Sequence, residues 1–119
     1  MPMIEVTLAS NATRPVEASS VRGQFAVHRP FDLTGPGWAV THLPTGLKVA
    51  HAHLIATARR LAADLDALGP STIQREHVAW LLGGRGGARR DPYYRSFVEV
   101  YCDAMRAVIA PFRARGEAR

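Results

Sequence analysis

Residues 38–51 read Trp-Ala-Val-Thr-His-Leu-Pro-Thr-Gly-Leu-Lys-Val-Ala-His, and this stretch decides the fold class. Trp38, Val40 and His42 alternate with Ala39 and Thr41, the two-residue period of a strand. Residues 43–46 supply turn chemistry, and 47–51 resume the alternation. A four-residue connection pairs His42 with Leu47, Val40 with Val49 and Trp38 with His51. Cross-strand partners share a face. One side is therefore Trp38, Val40, His42, Leu47, Val49 and His51, and the other is Thr41, Lys48 and Ala50. A slip of one residue brings Lys48 into the apolar set, which argues against it. The pattern predicts an antiparallel pair with one apolar face that needs cover.

Working outward, residues 23–30 place Phe25 and Val27 on one face and His28 on the other. Asp32, Gly35, Pro36 and Gly37 make 31–37 a turn-rich connection. Residues 3–9 alternate weakly and read as a short strand. Residues 10–20 are polar, contain Pro15 and read as a loop. Downstream, Ala58, Leu61, Ala62, Leu65 and Leu68 recur at helical spacing after Thr57, a candidate N-cap, and Gly69-Pro70 stops that helix. Ser71 and Gln74 have the spacing of a capping box that opens a second helix to about Leu82. Its apolar side is Ile73, His77, Trp80 and Leu81. Asp91-Pro92 opens a third, whose stripe runs Tyr94, Phe97, Val98, Tyr101, Cys102, Met105, Val108, Ile109 and Phe112. Pro111 should kink or end it, and the polar tail from Arg113 should fray.

The expected fold is α+β: a small antiparallel β-meander of three or four strands followed by three α-helices. It forms a single domain over 1–119, with a strand-rich half at 1–53, a helical hairpin at 54–82 and a Gly/Arg loop at 83–90. A long C-terminal helix and its tail, 91–119, complete it. At 119 residues there is room for one modest core. One cysteine excludes an internal disulfide framework or a Cys-rich zinc module. No apolar run is long enough to span a membrane, and residues 1–10 lack the pattern of a signal peptide. A reducing cytoplasm is the expected location.

Fifteen Lys and Arg against ten Asp and Glu leave a net charge of +5. Residues 1–70 are nearly balanced, whereas 71–119 carry nine Arg against five acids. The excess gathers in residues 83–90, Gly-Gly-Arg-Gly-Gly-Ala-Arg-Arg, where no acid appears before Asp91. Arginine on a glycine-rich backbone can follow a phosphate chain, and Tyr93 offers a stacking face. Arg85, Arg89 and Arg90, with Arg75 and Arg95, are therefore the candidate contacts to DNA or RNA. No Gly-Lys-Ser/Thr follows, so this is not a Walker loop. Residues 57–82 have only the outline of a helix-turn-helix. Leu65 stands where that motif takes a small residue, and Pro70 follows the turn glycine, so an ordinary helical hairpin is the better reading.

The remaining chemistry is sparse. His42, His51 and His53 are weak metal candidates, because the pairing separates them and no carboxylate in the segment orients them. Cys102 sits mid-helix on the apolar stripe, a packing position. No carboxylate pair is forced together by spacing. The leading expectation is a small non-enzymatic binding or regulatory protein that contacts nucleic-acid phosphates, without a cofactor. The alternative is a protein-interaction module, a small regulator or inhibitor of the phage or mobile-element type. It would use Tyr94, Phe97, Tyr101, Met105, Val108 and Phe112 against a protein partner or a second copy.

Overall fold

A computed structural model describes residues 2–8, 10, 12–30, 36–83 and 98–119. Six strands form two antiparallel sheets. Strands β1 (Met3–Thr7) and β2 (Thr13–Glu17) make a two-stranded sheet, with Ile4 opposite Val16 and Glu5 opposite Pro15. Strands β3 (Ser20–Arg22), β4 (Phe25–His28), β5 (Trp38–His42) and β6 (Leu47–Ala52) make a four-stranded sheet in sequence order. Helix α1 covers Ile55–Asp66 and helix α2 covers Val100–Ala114.

The α+β class holds, but the expected single meander and three helices do not. Residues 10–20 contribute β2 and the start of β3 where a loop was expected. Pro15 is tolerated because β2 is an edge strand, and β2 is exposed along most of its length, so it shows no apolar alternation. Two full helices stand among the described residues. The expected middle helix is a single 3-10 turn, Arg75–His77, running into a short helical segment, Val78–Gly83. Its capping box lies three residues later than the Ser71 spacing implies. Gln74 is the N-cap, and the His77 Nδ1 accepts the Gln74 backbone N–H at 2.9 Å. Ser71 is diverted into the core, as described below. The expected start of the third helix at Asp91-Pro92 lies outside the described residues.

The β5–β6 register holds at the turn and then changes. His42 pairs with Leu47 and Thr41 with Lys48, as the two ends of the turn demand. Val49 is then an extra residue, a β-bulge, so Val40 pairs with Ala50, Ala39 with His51 and Trp38 with Ala52. The bulge corrects the expected faces: Ala50 joins the core side and His51 leaves it. Phe25, Val27, Val40, Ala50 and Ala52 pack beneath Ala58, Leu61 and Leu65 of α1 and Tyr101, Met105, Ile109 and Phe112 of α2. On the opposite side, Ala26 packs with Ile4, Val6 and Ala18, so the two-stranded sheet covers part of the far face.

Helix α2 runs through Pro111, whose missing N–H leaves the Ala107 carbonyl without its usual helical donor. It ends in a Schellman motif. Gly116, at φ 73°, donates its N–H to the Arg113 carbonyl at 3.0 Å, and Glu117 donates to the Phe112 carbonyl at 2.9 Å. That turn aims the last residues at β6. Ala118 bridges Ala52, His53 donates to the Glu117 carbonyl at 3.3 Å, and Arg119 donates to the His51 carbonyl at 2.8 Å. The expected frayed tail is therefore docked on β6 through a single antiparallel bridge.

Candidate functional site

The most concentrated polar chemistry lies between the large sheet and the helices. His42, at the end of β5, is 1% exposed and stands between the rings of Phe25 and Tyr101, at centroid distances of 5.3 and 5.7 Å. Its Nδ1 is 2.8 Å from the Thr45 Oγ1 and its Nε2 is 2.9 Å from the Ser71 Oγ. A serine, an imidazole and a third hydroxyl in line have the outline of a nucleophilic triad.

Proton accounting argues against that use. The Ser71 Oγ lies 2.7 Å from the Ile73 carbonyl, to which it donates, and accepts the Ile73 N–H at 3.0 Å. Its one proton is spent on a carbonyl, so His42 must donate Nε2–H to it. Nδ1 then accepts the Thr45 hydroxyl proton, and Thr45 accepts the Leu47 N–H at 3.3 Å. Every short contact is satisfied by this one tautomer. A histidine that donates to its serine is not that serine's base. Burial lowers the His42 pKa to about 4, which also keeps the ring neutral.

Tyr101 borders the same cluster, and its hydroxyl is the only buried side-chain polar atom among the described residues without a hydrogen-bond partner. Ser71 lies near enough to lower the Tyr101 pKa somewhat, but burial outweighs it and holds the hydroxyl above its ordinary value. Ser71 has no capacity left to bond Tyr101: its proton and both lone pairs are engaged. On the far face, His28 is fixed in the same manner. Its Nδ1 donates to the Arg29 carbonyl and its Nε2 accepts from the Thr41 Oγ1, both at 2.7 Å. Burial, with a smaller contribution from Lys48, lowers its pKa against the Arg29 bond.

The expected site residues separate into three groups. Arg85, Arg89, Arg90, Arg95, Tyr93, Tyr94 and Phe97 lie outside the described residues. Arg75 is a strut: its Nη1 donates to the Thr7 Oγ1 at 2.6 Å and to the Thr45 carbonyl at 3.1 Å, tying the small sheet to the β5–β6 turn. Tyr101, Met105 and Phe112 are buried against the sheet and α1, and Val108 is half-buried at the edge of that core. The apolar stripe from Tyr101 onward thus serves the protein's own interior, and the large apolar residue that α2 leaves exposed is Val100.

The weak metal candidates are not brought together. His42 faces the helices, while the bulge turns His51 to the other face. Among the described residues no group of three His, Cys, Asp or Glu side chains could hold a metal ion. Cys102 is half-buried, and its thiol pKa is raised by burial first and by Asp103 and Glu99, against Arg106. It is a thiol and not a thiolate at neutral pH. No described helix is long and apolar enough to cross a membrane. Comparison with protein-family models, curated proteins and solved structures finds no match to this chain.

Two features were missed from sequence: the Ser71–His42–Thr45 chain and the basic group around His51. The first joins residues 29 positions apart, and nothing local marks it. The second depends on a bulge that the alternation of residues 47–51 conceals.

Proposed function

We propose that this is a small non-enzymatic protein that binds nucleic acid, DNA or RNA, through the phosphate backbone, using Arg85, Arg89 and Arg90. The observation that carries the reading is the sequence of residues 83–90: three arginines among four glycines, with no acid before Asp91. Charge-assisted, bidentate contacts from arginine suit phosphate oxygens, and glycine lets the backbone follow the strand. The saturated hydrogen bonding around His42 supports a binding role over a hydrolytic one. Arg75 is left out of this proposed set, because its Nη1 is engaged by Thr7 and Thr45.

Copurification tests the proposal. Untagged protein isolated at low salt should carry nucleic acid, seen as excess absorbance near 260 nm. Nuclease treatment should remove it. Protein that is free of nucleic acid before nuclease treatment contradicts the proposal.

A further inference from the structure

The bulge at Val49 gathers basic groups on the sheet face away from the helices. Lys48 opposite Thr41 and His51 opposite Ala39 both belong to that face, where a regular strand would have divided them. The docked C-terminal residues bring Arg119 to the same place, with its Nη2 3.1 Å from the His51 Nε2. His53 follows at the end of the strand. Arg29 is held apart from this group: its Nη1 donates to the Gly37 carbonyl at 3.4 Å while the guanidinium stacks on Trp38 at 4.1 Å. Lys48, His53 and Arg119 are exposed, whereas His51 is 6% exposed.

The His51 Nε2 faces two incompatible partners. The Pro36 carbonyl at 3.0 Å requires the nitrogen to donate, and the Arg119 N–H at 3.1 Å requires it to accept. One ring nitrogen cannot do both. Burial is the main cause lowering the His51 pKa, the Pro36 carbonyl opposes it, and among the described residues Arg119, Lys48 and His53 lower it further. An anionic oxygen beside Arg119 would take its N–H and leave the His51 Nε2–H to Pro36.

We infer that Lys48, His53 and Arg119, gathered around the buried His51, form a binding site for a phosphate group. The site stands on its own geometry and does not depend on the arginines of residues 83–90. A phosphate of a nucleic-acid backbone and a free phosphate ester present the same oxygens to it, so the test separates them.

The experiment is an NMR titration of the His51 ring and Arg119 guanidinium with inorganic phosphate, at ionic strength held constant with sodium chloride. The expected result is a saturable shift, weakened about tenfold in Lys48→Gln/Arg119→Gln, which removes two charge-assisted contacts. Lys48→Gln alone keeps the docked C-terminal residues in place and should weaken binding about threefold. A linear, unsaturable drift overturns the inference, and so does full affinity in both variants. A short oligothymidylate that competes with phosphate at His51 assigns the site to backbone phosphates; one that does not compete assigns it to small phosphate esters. Arg85→Ala/Arg89→Ala/Arg90→Ala should leave the His51 response to inorganic phosphate unchanged, so this site and the Gly/Arg segment fail separately.

Discussion

Acid should unfold this protein through His42, and the size of the effect follows from its surroundings. The ring is buried between Phe25 and Tyr101, with both nitrogens committed to hydroxyls. Its pKa is lowered from 6.5 to about 4 by burial. Above pH 6.5 the imidazole is neutral in the folded and unfolded chains alike, and its contribution is fully present. Between 6.5 and about 4 the unfolded chain takes up a proton that the folded protein refuses, so stability falls with pH. Two and a half pH units at 1.36 kcal/mol each come to about 3 kcal/mol, lost by the time pH drops below the folded value. For a domain of this size that is a large share of the whole. His28 and His51, also lowered chiefly by burial, add to the slope with the same sign. Urea unfolding followed by tryptophan fluorescence at pH 7 and near pH 4 measures the loss. His42→Gln should flatten the dependence, whatever it costs at neutral pH. Carbon chemical shifts of the His42 ring in the wild-type protein give its pKa without any variant. A wild-type ring that titrates near 6.5 refutes the reasoning, as does an unchanged pH slope in His42→Gln.

Three further substitutions test the packing. Tyr101→Phe removes a hydroxyl that is buried without a partner, so denaturant unfolding should show stability equal to wild type or higher by about 1 kcal/mol; a loss of that size would reveal a bond. Gly37→Ala is strained twice: φ is 110°, and the new Cβ would collide with the His51 Nε2 and stand 2.7 Å from the Ala52 carbonyl oxygen. Thermal unfolding should reveal a loss of about 2 kcal/mol or more, and wild-type stability would contradict the close approach. Arg75→Ala should cost about 1 kcal/mol and speed amide exchange at Thr7, while leaving oligonucleotide affinity within about twofold; a large affinity loss would return Arg75 to the binding set.

The large sheet was legible because the core-facing Phe25, Val27, Trp38, Val40 and His42 stand at every second position, although nearly every residue of both strands is buried. Strand β2 was not legible, since it is largely exposed and its Pro15 reads as a breaker. The bulge escaped because Lys48, Val49, Ala50 and His51 fit an unbroken alternation equally well. Only the packing of Ala50 and Ala52 under α1 and α2 selects the shifted register. The end of α2 was written in Arg115-Gly116, a Schellman signal hidden by the polar composition of the tail. At the site level, the arginine concentration in 83–90 is a property of sequence alone. The use of Arg75 as a strut and of Ser71 as a partner of His42 depends on contacts across 68 and 29 positions, which no local pattern encodes.

The binding role of Arg85, Arg89 and Arg90 is tested most directly by the salt dependence of oligonucleotide affinity. Three phosphates neutralised on a single strand give a slope of about −2 in log affinity against log salt. Fluorescence anisotropy with a labelled oligothymidylate should therefore show affinity falling about twentyfold between roughly 50 and 200 mM salt. Arg85→Ala/Arg89→Ala/Arg90→Ala should abolish most of that binding and its slope. Affinity insensitive to salt, or a triple variant that binds like the wild-type protein, would contradict the assignment.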